Sequence, residues 1–197
     1  LNVKGLVGGH SGMDIVLYRA NANKVMTRAL LPLLRDLGAK LISIEGGNMR
    51  NAIPREAFAE ISIDPKNVNK AKAIVKKVTA EVKNEYALIE PNIEIRFEKV
   101  AKAKKAIPAE VALRALKAIY ACPCNVDRMS LAMPNLVETS NNLAIVKTGN
   151  GRINVITPMR GSTDSAKYAL RDAIRCTFEL AGAEIKFKGG YSGWQPN

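Results

Sequence analysis

The sequence predicts an α+β fold: two tandem ferredoxin-like (split βαβ) units that share an extended antiparallel sheet, with helices on one face. Three observations carry this. Stretches with apolar residues at i, i+3, i+4 and i+7 alternate with short stretches of period two. Their order is β-α-β-β-α-β, nearly repeated in the second half. The strands are half polar, which suits a sheet buried on one side only. The two pseudo-repeats fall at about residues 1–100 and 101–190.

The elements follow in order. Residues 1–7 read as a strand that runs into the loop Gly8-Gly9-His10-Ser11-Gly12. From Ala22 the stripe Val25, Met26, Ala29, Leu30, Leu33, Leu34, Leu37 marks a helix, with Gly38 as its stop and Pro32 expected to kink it or end it early. A short strand at Lys40–Glu45 is followed by the turn GGNMRNAIP and a strand over Glu56–Ile63, where Ala57, Ala59, Ile61 and Ile63 alternate. Asp64-Pro65 is a cap and first-turn signal for a helix with the stripe Val68, Ala71, Val75, Val78, Val82. Ile93, Ile95 and Phe97 give the next strand.

In the second half a helix spans about Pro108–Ala121. After an irregular stretch, strands at Leu143–Thr148 and Arg152–Thr157 flank the hairpin signal Gly149-Asn150-Gly151. Ser162 or Thr163 caps a helix with Ala166, Ala169, Leu170, Ala173, Ile174, Thr177, Phe178 and Ala181 on one side. Gly182 stops it, and Ile185 with Phe187 suggest a last strand.

Bulk composition narrows the function. With 197 residues and 47% hydrophobic content, the chain can build a real core. No stretch approaches the ~20 apolar residues that span a bilayer, so a soluble, cytoplasmic chain without membrane contact is expected. It opens on Leu1 inside a strand-like run and stops just after another, so an excised domain is expected. The net charge of +12 raises nucleic acid as a partner. Between Lys66 and Lys105, however, eleven Lys or Arg stand against five Glu, mostly on a helix face and the loop after it, as on a solvated surface. No strand carries paired aromatics for stacking bases. A basic nucleic-acid-binding module and a stand-alone interaction module therefore remain as the alternatives. Three cysteines suggest free thiols in a reducing compartment. Cys122-Pro-Cys124 is too sparse for a tetrahedral metal site and reads as buried or half-buried thiols at a helix end.

Three stretches are costly unless they serve a site. The first holds His10, the chain's one histidine, among glycines that leave space around the ring. In the second, Pro54 presses Ile53 toward extended geometry and presents Asn51 at a strand entrance. The third, INVITPMRG, puts Arg160 past a strand end and before a helix, where a guanidinium can grip a carboxylate with two parallel bonds. Each also has a plain explanation: a loop histidine, a β-turn and a surface arginine.

Together with VETSNNLAIV and GYSGWQPN, the runs GLVGGHSGMDI…RANANK and GGNMRNAIPREAFA closely resemble the aminoacyl-histidine (Xaa-His, carnosine-splitting) dipeptidases. These are dinuclear zinc metallopeptidases related to carboxypeptidase G and aminoacylase. The resemblance covers essentially the whole chain but maps onto one part of such an enzyme, the lid or dimerisation domain, with residues 101–135 matching least well. It implies that residues 1–197 form a single lid domain whose catalytic zinc domain is absent. It also implies that His10 stabilises the oxyanion of the tetrahedral intermediate, reaching in dimeric relatives into the opposite subunit's site. Asn51 would help hold the substrate end, and Arg160 would bind the substrate's terminal carboxylate. Two zinc ions, a dipeptide substrate and a homodimer are implied as cofactor and partners. The zinc ligands and the general-base glutamate would lie in the catalytic domain, so neither peptidase activity nor tightly bound zinc is expected of this chain alone.

Overall fold

The structure, a computed structural model, describes residues 1–100 and 105–189. The first half runs β1 (Asn2–Lys4), β2 (Gly9–His10), α1 (Ala22–Leu37), β3 (Lys40–Gly46), β4 (Ala52–Ile53), β5 (Ala57–Ser62), α2 (Val68–Glu85) and β6 (Glu94–Arg96). The second runs α3 (Ala109–Ala121), β7 (Asn125–Met129), β8 (Val137–Asn141), β9 (Ile145–Gly149), β10 (Arg152–Ile156), β11 (Met159–Gly161) and α4 (Asp164–Glu179). The main sheet has six antiparallel strands in the order β10-β9-β3-β5-β1-β6. Its last four positions, β3-β5-β1-β6, are the split βαβ arrangement of the first unit.

Helix α1 forms where its stripe predicts. The Asn21 side chain accepts the N–H groups of Asn23 (3.0 Å) and Lys24 (3.4 Å), satisfying two of the donors a helix start leaves free. At the other end Gly38 turns left-handed at φ 66°, and Ala39 N–H closes back on Leu33 C=O at 3.0 Å. Pro32 does not end this helix. Leu30, Leu33 and Leu34 around it are buried, and packing of that face outweighs the one backbone bond a proline removes.

Val3, Met26, Leu30 and Ile44 from the first half share one buried cluster with Leu116, Ile119, Leu170 and Ile174 from the second. The outer sheet surface faces solvent: along β5, Ala57 and Ala59 are buried while Phe58, Glu60 and Ser62 are exposed. The predicted hairpin is present, with Asn150 (φ 51°) and Gly151 (φ 73°) in the left-handed region between β9 and β10.

The second half departs from a plain repeat. It lends β9 and β10 to the main sheet, and β7, β8 and β11 make a separate sheet of order β11-β8-β7. Ile185 and Phe187 lie outside any strand. The segment carrying β7 and β8 lacks clean alternation because its ladder is interrupted by irregular registers at Val126/Arg128 and Arg128/Met129. The GYSGWQPN motif lies outside the described residues.

Candidate functional site

The glycine loop and the Asn51 turn meet as a two-stranded ribbon. Gly9 pairs with Ile53 and His10 with Ala52, and Ser11 N–H donates to Asn51 C=O at 2.8 Å. The ribbon is tied to the rest of the fold by Asn142, whose side-chain amide donates to Ala52 C=O at 2.7 Å, and by Ala22 N–H, which donates to Pro54 C=O at 2.9 Å. Asn51 itself is exposed.

His10 sits in a tight turn rather than an open loop. Its N–H donates to Asp14 Oδ2 and its C=O accepts Asp14 N–H, each at 2.8 Å. Its ring Nδ1 accepts the N–H groups of Gly12 and Met13, both at 3.2 Å. A nitrogen that accepts carries no proton in the neutral ring, so this pattern assigns the proton to Nε2. Arg19 braces the turn, donating through Nη1 to Gly8 C=O at 2.6 Å and lying 3.5 Å from Asp14 Oδ2. Gly9 has no substitute here: at φ 145° a Cβ would stand 2.4 Å from Arg19 Nη1 and 2.5 Å from Asp14 Oδ2.

Arg160 arrives from the other half of the chain. It lies within β11, paired with Ser140 of β8, and not beyond a strand end as the sequence suggested. Its exposed side chain reaches back to the glycine loop. Arg160 Cζ and His10 Cε1 each come within 3.1 Å of the point a Cβ on Gly12 would occupy. The imidazole and the guanidinium thus share one corner, and among the described residues no carboxylate pairs with Arg160. Asn51 is joined to this corner through its backbone bond to Ser11.

Chemically, the corner offers a neutral ring able to donate from Nε2 beside a permanent cation, a pair suited to an anionic or developing-anionic group. Sequence reasoning missed Asp14, Arg19 and Asn142, which hold the corner in shape. The spacing of Asp14 four residues after His10, within a glycine-rich turn, was the available signal for the first. Nothing local signals Asn142, which acts across 90 residues.

Among the described residues no group of three or more His, Cys, Asp or Glu side chains could hold a metal ion. The two zinc ions implied by resemblance therefore have no ligand set on these residues. No helix of the described residues is long and apolar enough to cross a membrane. Cys122 is buried just past the end of α3, Cys124 is half-buried and Cys176 exposed, and all three are free.

Comparison with known proteins bears on the whole chain. Residues 1–90 match the family model of the peptidase dimerisation domain. Over all 197 residues the chain is 36% identical to the cytosol non-specific dipeptidase of Escherichia coli (strain K12). It superposes on the crystal structure of aminoacylhistidine dipeptidase from Vibrio alginolyticus with a TM-score of 0.96 and 37% identity, again along its full length. The chain spans 41% of the first relative and 40% of the second. Residues 1–90 thus match the peptidase dimerisation domain, and the whole chain is similar in sequence and fold to a part of two dipeptidases.

Proposed function

We propose that residues 1–197 are the lid and dimerisation domain of a larger cytoplasmic zinc dipeptidase that hydrolyses Xaa-His and related dipeptides. In this reading His10 donates from Nε2 to the oxyanion of the tetrahedral intermediate, across a homodimer and into the opposite subunit's site. Arg160 grips the terminal carboxylate of the dipeptide, and Asn51 helps hold that end. The metal ligands and the general base belong to a catalytic domain outside this chain, so this chain alone is inactive.

The observation that supports this most is the meeting of His10 and Arg160 at Gly12, from positions 150 residues apart. Hydrolysis of a dipeptide needs both a donor for the developing oxyanion and an anchor that fixes which end faces the reacting centre. The names of the two relatives, both dipeptidases, agree with that chemistry.

The test is His10→Ala in the full-length protein. Loss of one oxyanion donor costs about 2.7–4 kcal/mol, or ~100–1000-fold in kcat, and the expected result is a fall of that order with metal content unchanged. Unaltered turnover removes the catalytic role of His10.

A further inference from the structure

We propose that Asp14 is a positioning residue, which with the amides of Gly12 and Met13 locks His10 as the Nε2–H tautomer. The inference deepens the reading of His10 given above and rests on it for its catalytic consequence. The two neutral tautomers of an imidazole differ in which nitrogen donates, and a neighbour that bonds one nitrogen decides between them. Here both amides point N–H at Nδ1 at 3.2 Å. A proton on Nδ1 would set three donors against each other, so the proton stays on Nε2.

Those amides are aimed by the turn, and the turn is closed by Asp14. Its carboxylate takes His10 N–H and its own N–H returns to His10 C=O, both at 2.8 Å. The carboxylate is in turn braced by Arg19, which also holds Gly8 C=O. The exposed Met13 side chain makes no demand on this geometry: at 78% exposure only its backbone is used. The unit fixes a donor direction with main-chain groups, and Asp14 is the side chain that keeps them in place.

The chain's single histidine makes this directly readable. Nitrogen-15 imidazole spectra of the full chain, taken about two pH units above the ordinary imidazole pKa, are expected to show a pyridine-like Nδ1 and a pyrrole-like Nε2. Asp14→Ala is expected to move Nδ1 toward the tautomer-averaged position. Asp14→Asn, whose amide oxygen can still accept His10 N–H, should keep most of the wild-type signature. In the full-length enzyme Asp14→Ala is expected to lower kcat about tenfold with KM little changed, the lower end of what orienting partners of metal-bound histidines show. A proton found on Nδ1 in the wild type, or ring signals indifferent to Asp14→Ala, overturns the proposal. If the spectra behave as stated but His10→Ala leaves kcat intact, the positioning role stands and the oxyanion role falls.

Discussion

Glu90 accepts the backbone N–H of Val7 through Oε2 at 2.7 Å, and its other oxygen, Oε1, accepts that of Ala20 at 3.0 Å. One carboxylate at 1% exposure therefore holds both ends of the segment that carries His10. Replacing it removes the acceptors while leaving the donors in place, and a buried donor left unpaired costs about 1–3 kcal/mol. Glu90→Ala is expected to lower the urea midpoint by the equivalent of at least one such loss. Glu90→Gln, which keeps one acceptor oxygen, should fall between. Identical midpoints for all three proteins would show that the carboxylate does not hold the segment.

A second prediction separates the shape of the site from the stability of the fold. On Gly12 a methyl group would come within 3.1 Å of both Arg160 Cζ and His10 Cε1. That is tighter than ordinary contact, but what must give way is the end of a flexible arginine and the edge of a ring. Gly12→Ala is thus expected to leave thermal unfolding nearly unchanged while raising KM for a dipeptide in the full-length enzyme. A destabilisation like that of a buried core substitution would mean that the corner is part of the core.

The cysteines give a pH-dependent case. Burial pushes the Cys122 thiol up to about 12 from its ordinary 9.0, and burial also raises Cys124. The folded protein therefore holds these protons where the unfolded chain releases them. This contribution to stability is complete below pH 9 and is lost as pH rises toward 12, at about 1.4 kcal/mol per unit for one group. Lys24, whose ammonium caps the C=O groups of Ile119, Tyr120 and Cys122, has its pKa lowered by burial and opposes that trend. Comparing alkaline urea unfolding of wild type with Cys122→Ala isolates the thiol, and the variant should show the shallower loss. In the native state near pH 8, a disulfide thiol reagent should modify exposed Cys176 and reach Cys122 only after unfolding.

These cases also show what the sequence could and could not disclose. The α1 stripe, the Gly38 stop and the Asn150-Gly151 hairpin follow local rules, and the structure keeps all three. The main sheet and its helices follow from the order of periods. The β7-β8-β11 sheet does not, because β11 has three residues and β7 pairs with interruptions, so neither has a period to read. At the site, His10 and Arg160 were visible as residue types in unusual settings. Their meeting was implied only by the family resemblance and by no local pattern, since it depends on β11 being carried back beside the glycine loop. Glu90 looked like one more acidic residue near the end of a charged helix. Its value comes from burial against two amides 13 residues apart in the chain, a relation no local pattern encodes.

The last prediction concerns what Arg160 holds. A guanidinium without a carboxylate partner among the described residues can present two parallel N–H groups to an incoming carboxylate, whereas an ammonium of the same charge is a point donor. Arg160→Lys in the full-length enzyme is therefore expected to raise KM for a free dipeptide by about tenfold, the scale of a charge-assisted bond weakened by ~1.4 kcal/mol. A dipeptide whose terminal carboxylate is amidated has nothing for the fork to grip, so it should bind wild type and Arg160→Lys equally poorly. The informative quantity is the coupling between the two changes. Losses that merely add, with the amidated substrate weakened further by Arg160→Lys, would place the arginine's contact elsewhere on the substrate.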